Sequence, residues 1–120
     1  MSGFKSLSQN FSLNPDDLFR LAVQALEVPG DWSLQKVEED KHYASATTRA
    51  KFPAAPHVVQ IIVQPARGRH TRELSTLIVK SRPKFGLGGG MDFGGVGADN
   101  VQFIMNQVIT FVNSLAQPQP

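Results

Sequence analysis

Seven of the ten glycines fall between Lys84 and Ala98, just ahead of an apolar stretch with helical spacing. Backbone N–H groups in such a loop can cradle a phosphate when a helix follows. The spacing fits neither phosphate fingerprint. A Walker-type loop needs Gly-Lys-Ser/Thr at the helix start, where this chain has Gly97-Ala98-Asp99-Asn100. A dinucleotide-type loop needs a third glycine after Gly86 and Gly88, and Met91 stands there. Asp99 would also repel an anion from that helix end. What the loop does carry is Phe85, Leu87, Met91, Phe93 and Val96 on a permissive backbone, with Asp92 among them. Such groups either fold back onto the protein or form an adaptable lip for a partner. Asp92 is an acid/base candidate by position, with turn capping as its alternative role.

The other reactive residue types are scattered. His42, His57 and His70 lie 15 and 13 residues apart, with no second histidine or acid at i+2 or i+4, so no local set of metal ligands exists. Cysteine is absent, which removes disulfides, thiolate metal sites and thiol nucleophiles together. There is no Gly-x-Ser-x-Gly elbow and no arguable Ser–His–Asp set. The expectation is therefore no catalytic residue, no metal and no cofactor.

Charge is the stronger signal. The formal net charge is only +2, but it is distributed unevenly. Residues 1–40 hold three cations against seven acids. Residues 41–84 hold nine cations against Glu73 alone, and all three histidines as well. Within that segment Arg67, Arg69 and Arg72 form a turn cluster, and Lys80, Arg82 and Lys84 end a strand. A local excess of this size can steer acidic partners, or simply solvate a sheet surface. If the flanking strands form a hairpin, the two clusters lie roughly 25–30 Å apart at about 3.3 Å per residue, too far for one phosphate pocket.

The elements that must position these groups are legible from periodicity and stop signals. Residues 1–13 read as a flexible lead-in. Asn14-Pro15-Asp16-Asp17 is a helix start: a cap, a proline at the first helical position, and two carboxylates at the positive end of the dipole. Leu18, Leu21, Ala22, Ala25 and Leu26 give that helix an apolar stripe, and Pro29-Gly30 stops it, so it spans about 15–28. Strands are expected at Trp32–Glu38, His42–Phe52, His57–Gln64 and Thr71–Ser81, joined by short turns that favour antiparallel pairing. On the second strand Ala44 and Ala46 alternate with Tyr43, Ser45, Thr47, Arg49 and Lys51; the alanines leave room for a helix to approach. A second helix starts near Asp99 as its cap, with Gln102 completing a box-like pair. Its stripe is Val101, Ile104, Met105, Val108, Phe111, Val112 and Leu115. Residues 117–120 read as a disordered tail.

The fold class that follows is α+β, in the order α-β-β-β-β-α. It is a two-layer sandwich whose four-stranded antiparallel meander carries the N-terminal and C-terminal helices on one face, within a single domain over 14–116. Val58 and Ile62 point opposite to Val59, Ile61 and Val63, so the face away from the helices also carries apolar groups.

Residues 42–115 resemble the DUF1499 family of small α+β proteins. Three stretches carry the likeness: Tyr43 to Arg49 leading into Lys51-Phe52-Pro53; the apolar strand Val58 to Val63; and Ile78-Val79-Lys80-Ser81-Arg82 followed by a glycine loop with Asp92-Phe93-Gly94 and an apolar closing helix. This chain lacks the cysteine- and proline-containing N-terminal stretch common in the family, and its glycine loop is longer. The resemblance implies helix, sheet, helix, and no reaction.

Two roles fit these observations. One is a protein-interaction or assembly module, binding a protein partner or a second copy through the loop (Phe85, Leu87, Met91, Asp92, Phe93) and the outer sheet face (Tyr43, Arg49, Lys51, Val58, Ile62). The other is an anion-binding module for nucleic acid or acidic lipid, using Arg67, Arg69, Arg72, Lys80, Arg82 and Lys84. The N-terminus lacks the basic start and apolar block of a secretory signal, and no apolar run spans a bilayer, so a soluble cytoplasmic protein is the default expectation.

Overall fold

The computed structural model describes residues 5–49, 56–66, 74–83 and 96–116. Five strands and two α-helices run in the order β1 (Lys5–Phe11), α1 (Pro15–Glu27), β2 (Ser33–Glu38), β3 (Tyr43–Thr47), β4 (His57–Pro65), β5 (Ser75–Pro83) and α2 (Val96–Ala116). A single 3-10 turn, Glu39–Lys41, joins β2 to β3. The sheet is antiparallel throughout, in the order β1-β5-β4-β3-β2. The expected meander is present as β2 to β5.

The first correction concerns the N-terminus. The 1–13 segment, expected to be a lead-in, forms β1 over Lys5–Phe11 and pairs along its length with β5, making a five-stranded sheet that begins with a strand. Its position explains the weak signal. It is an edge strand, and of its inward-facing residues only Leu7 and Phe11 are apolar, against Lys5 and Gln9. The ends of β1 and β5 are further tied where Leu74 donates its N–H to the Phe11 carbonyl (2.8 Å) and Ser75 Oγ donates to the Leu13 carbonyl (2.6 Å).

Helix α1 forms as the sequence dictates. Asn14 caps it by accepting the Asp17 N–H at 2.9 Å, and proline occupies the first turn. Leu18, Phe19, Ala22, Ala25 and Leu26 are buried. Helix α2 begins at Val96, so Asp99 sits inside the first turn instead of capping it. Gln102 donates to Asn106 Oδ1 (2.9 Å) one turn on, and no capping box forms. The α2 stripe is buried at Val101, Ile104, Met105 and Val108, half-buried at Phe111 and Val112, and exposed at Leu115, so the helix leaves the core toward its C-terminus.

Both helices lie on one face. One core joins their buried residues to Ala44 and Ala46 of β3, Val59, Ile61 and Val63 of β4, and Leu77 and Val79 of β5. Ala44 and Ala46 are fully buried, and their small side chains let α1 close on the sheet. Strand β3 ends at Thr47, short of the expected Phe52; Ala50 to Ala55 lie outside the described residues. Pairing continues locally through two bonds: Thr48 N–H to the His57 carbonyl (2.9 Å), and His57 N–H to Thr48 Oγ1 (2.9 Å). No helix among the described residues is long and apolar enough to cross a membrane.

Candidate functional site

The strand registers define the face turned away from the helices. One row across the sheet runs Ser8, Ile78, Ile62, Tyr43, Glu38. The next runs Ser6, Lys80, Gln60, Ser45, Lys36, and a third runs Arg82, Val58, Thr47, Ser33. Ile62 and Ile78 are thus direct cross-strand neighbours, with Tyr43 beside Ile62; Val58 lies two rows away, beyond the row of Gln60 and Lys80. Tyr43, Val58, Ile62 and Ile78 are half-buried. Gln60 donates to the Tyr43 hydroxyl at 2.8 Å, which fixes the phenol across the strand boundary. Since both described helices pack on the opposite face, no helix among the described residues covers this aliphatic cluster.

Lys80 and Arg82 lie on the same outer face, two residues apart on β5, in the two rows next to the Ile62–Ile78 pair on one side of it. On the far edge Lys36 pairs with Glu38 at 2.9 Å, and Lys41 approaches Glu38 at 3.6 Å. The Lys36 hydrogen bond holds the Glu38 carboxyl below its usual range, and the same bond raises the Lys36 ammonium. The outer face thus combines an apolar pair with cations to one side of it, and its edge carboxylate Glu38 is engaged by two lysines.

Of the residues expected to form the sheet-face site, the structure brings Tyr43 and Ile62 side by side and places Val58 on the same face two rows away. It adds Ile78, whose membership follows from the parity of β5. Arg49 is exposed just beyond β3, and Lys51 lies outside the described residues. So do the loop residues Phe85, Leu87, Met91, Asp92 and Phe93, and the cations Arg67, Arg69, Arg72 and Lys84.

A second concavity, of about 440 Å³, opens between α1 and the β2–β3 connection. It is lined by Phe19, Val23 and Val37 with Asp16, Glu39 and His42 around them. His42 is the one described non-glycine residue with positive φ (φ 48°, ψ 48°). Its Nε2 lies 2.6 Å from Asp16 Oδ1, and its ring sits 5.5 Å from that of Phe19. A histidine–carboxylate pair is half of a general-base arrangement. Among the described residues no serine, threonine, lysine or cysteine lines the cleft to serve as a nucleophile. The pair instead ties the β2–β3 connection to the first turn of α1, a contact across 26 residues that sequence spacing does not reveal. Among the described residues no group of three or more potential ligands could hold a metal ion.

No protein-family model matches the chain, and no curated protein does. The fold is similar to that of a solved structure titled "Crystal structure of Ara h 8.0201", with a TM-score of 0.57 and 12% sequence identity. The match covers 92% of this chain and 97% of that one. At that identity the likeness is one of fold, and no residue role travels with it.

Proposed function

We propose that this protein is a non-enzymatic docking module whose outer sheet face binds an acidic, aliphatic polypeptide segment. The observation that supports it is the Ile62–Ile78 cross-strand pair on the face opposite both helices, with Lys80 and Arg82 to one side of it. Aliphatic groups left beside water gain from burial by a partner, and the neighbouring cations select acidic over basic segments. A second copy presenting the same face would bring its own Lys80 and Arg82 with it, so a foreign acidic segment is the better complement. The resemblance to the DUF1499 family adds an expectation of fold and none of activity.

The test is selection from a random peptide display library on the wild-type protein, with counter-selection on an Ile62→Ser/Ile78→Ser variant whose circular dichroism matches wild type. The expected result is enrichment of peptides with acids beside aliphatic residues. Their binding weakens by roughly fivefold or more in the double variant, since the loss of two interface aliphatic side chains costs on the order of 1–3 kcal/mol. A Lys80→Glu/Arg82→Glu variant, which leaves the aliphatic pair intact, should lose the same peptides. Peptides that bind both variants as well as wild type would overturn the proposal. So would binding to nucleic acid or phosphatidylserine vesicles that depends on the cations and ignores the isoleucines, which is the anion-binding alternative.

A further inference from the structure

A separate pocket of about 430 Å³ lies where the end of α1 meets the start of α2, lined by Val28, Pro29, Trp32, Asp99, Asn100 and Phe103. Trp32 and Phe103 form two of its walls, with ring centroids 6.1 Å apart and planes tilted by 59°. Val28 is 47% exposed at its rim, so apolar surface is available there. Among the described residues Asp99 is the single charged one in the lining, and no ion pair there engages it. The last turn of α1 contains no basic residue, so the partial negative charge of that helix end is left unopposed by its own side chains. The partial positive charge at the start of α2 is outweighed by the full charge of Asp99, which sits in that first turn. Asn100 turns its amide to Ser81 Oγ (3.4 Å), so its donor points at the sheet.

Two aromatic walls, a carboxylate in no ion pair among the described residues, a negative helix end and no cation among the described lining residues make a particular chemical fit. We propose that this pocket binds a small quaternary ammonium group, the trimethylammonium head of a choline-like molecule. Its methyl groups would lie against the indole and phenyl rings, whose faces attract a cation, while Asp99 supplies the counter-charge. A primary ammonium is more strongly hydrated and has no apolar skin to match the walls. An anion would meet Asp99 directly.

Trp32 is the one tryptophan in the chain and reports on its own pocket. The experiment titrates the full-length protein with choline and, in parallel, with 3,3-dimethyl-1-butanol, which has the same shape and no charge. Trp32 fluorescence and calorimetry are the readouts. Choline is expected to give a saturable change and to bind roughly 2–30-fold more tightly than the neutral isostere, the range a cation–aromatic contact supplies. Asp99 is exposed, so Asp99→Asn leaves the fold intact, and it should weaken choline several-fold while sparing the isostere. Three results would each overturn the proposal: no saturable binding of choline, equal binding of choline and the alcohol, or an Asp99→Asn variant with unchanged choline affinity. The Ile62→Ser/Ile78→Ser variant should bind choline as wild type does, which separates this pocket from the sheet face.

Discussion

Replacing Phe11 with alanine tests whether the N-terminal segment is a structural strand. Phe11 is only 6% exposed and belongs to the same core as Leu77 and Val79, although its strand lies at the sheet edge. Its backbone bond to Leu74 survives the substitution; what is lost is the buried ring. Truncating a buried phenylalanine costs about 3–5 kcal/mol, the spread reflecting how far the site collapses. Leu7 and Leu13 are half-buried against the same cluster and can relax into part of the space, which puts the expected loss near the lower bound, about 3 kcal/mol. A domain of this size is stabilised by roughly 5–15 kcal/mol in total, so the loss is a large fraction. At roughly 3–5 °C per kcal/mol for this chain length, the melting temperature should fall by about 10–15 °C. Urea unfolding followed through Trp32 measures the free energy, and circular dichroism the melting point. Ser8→Ala serves as the control on the same strand: Ser8 is exposed on the outer face, and the change should stay within about 0.5 kcal/mol. If Phe11→Ala loses less than about 1 kcal/mol, β1 is not part of the cooperative fold and the five-stranded sheet is wrong.

Other outcomes follow from the packing and from the charges. Ala44→Leu forces three extra carbons between β3 and α1 where the alanine is fully buried, and should destabilise by about 1–3 kcal/mol in urea unfolding; a neutral result would mean α1 does not seat on β3. At His42, which holds a left-handed conformation, asparagine tolerates the backbone and valine does not. His42→Val should therefore lose more stability than His42→Asn, by on the order of 1 kcal/mol, and equal losses would place the whole effect in the Asp16 contact. The Glu38 carboxyl is held below its usual range by Lys36, so the pair's small contribution is present at neutral pH and disappears as pH falls through the lowered Glu38 titration. Lys36→Gln should return Glu38 toward the usual carboxylate range in an NMR titration, and an unmoved midpoint would assign the shift elsewhere.

How much of this could be read from the chain depended on whether the signal was local. Helix α1 was legible to within a residue because its cap, proline, acids and stop motif all lie within or beside it. The hairpin of β4 and β5 was legible because both strands are buried on one face and β-branched along their length. Strand β1 was not, since its partner lies more than sixty residues away and its edge position asks for only two apolar side chains. Its faint alternation, Ser6, Ser8 and Asn10 against Leu7 and Phe11, was the available sign. The start of α2 reads late in the sequence because Asp99 makes a plausible cap and the glycines before it argue against helix. On the outer face, Tyr43, Val58 and Ile62 came from strand parity alone. The pairing of Ile62 with Ile78 needed the register, and the Asp16–His42 contact needed the tertiary fold.

The docking face is tested most directly by the methyl resonances of the isoleucines, recorded while a display-selected acidic peptide is titrated into the labelled protein. Ile62 and Ile78 should shift together and saturate with one affinity, whereas the fully buried Ile61 and Ile104 on the opposite side of the sheet stay in place. Shifts confined to other sites, with Ile62 and Ile78 unmoved, would contradict the assignment of the sheet's outer face as the surface where this protein meets its partner.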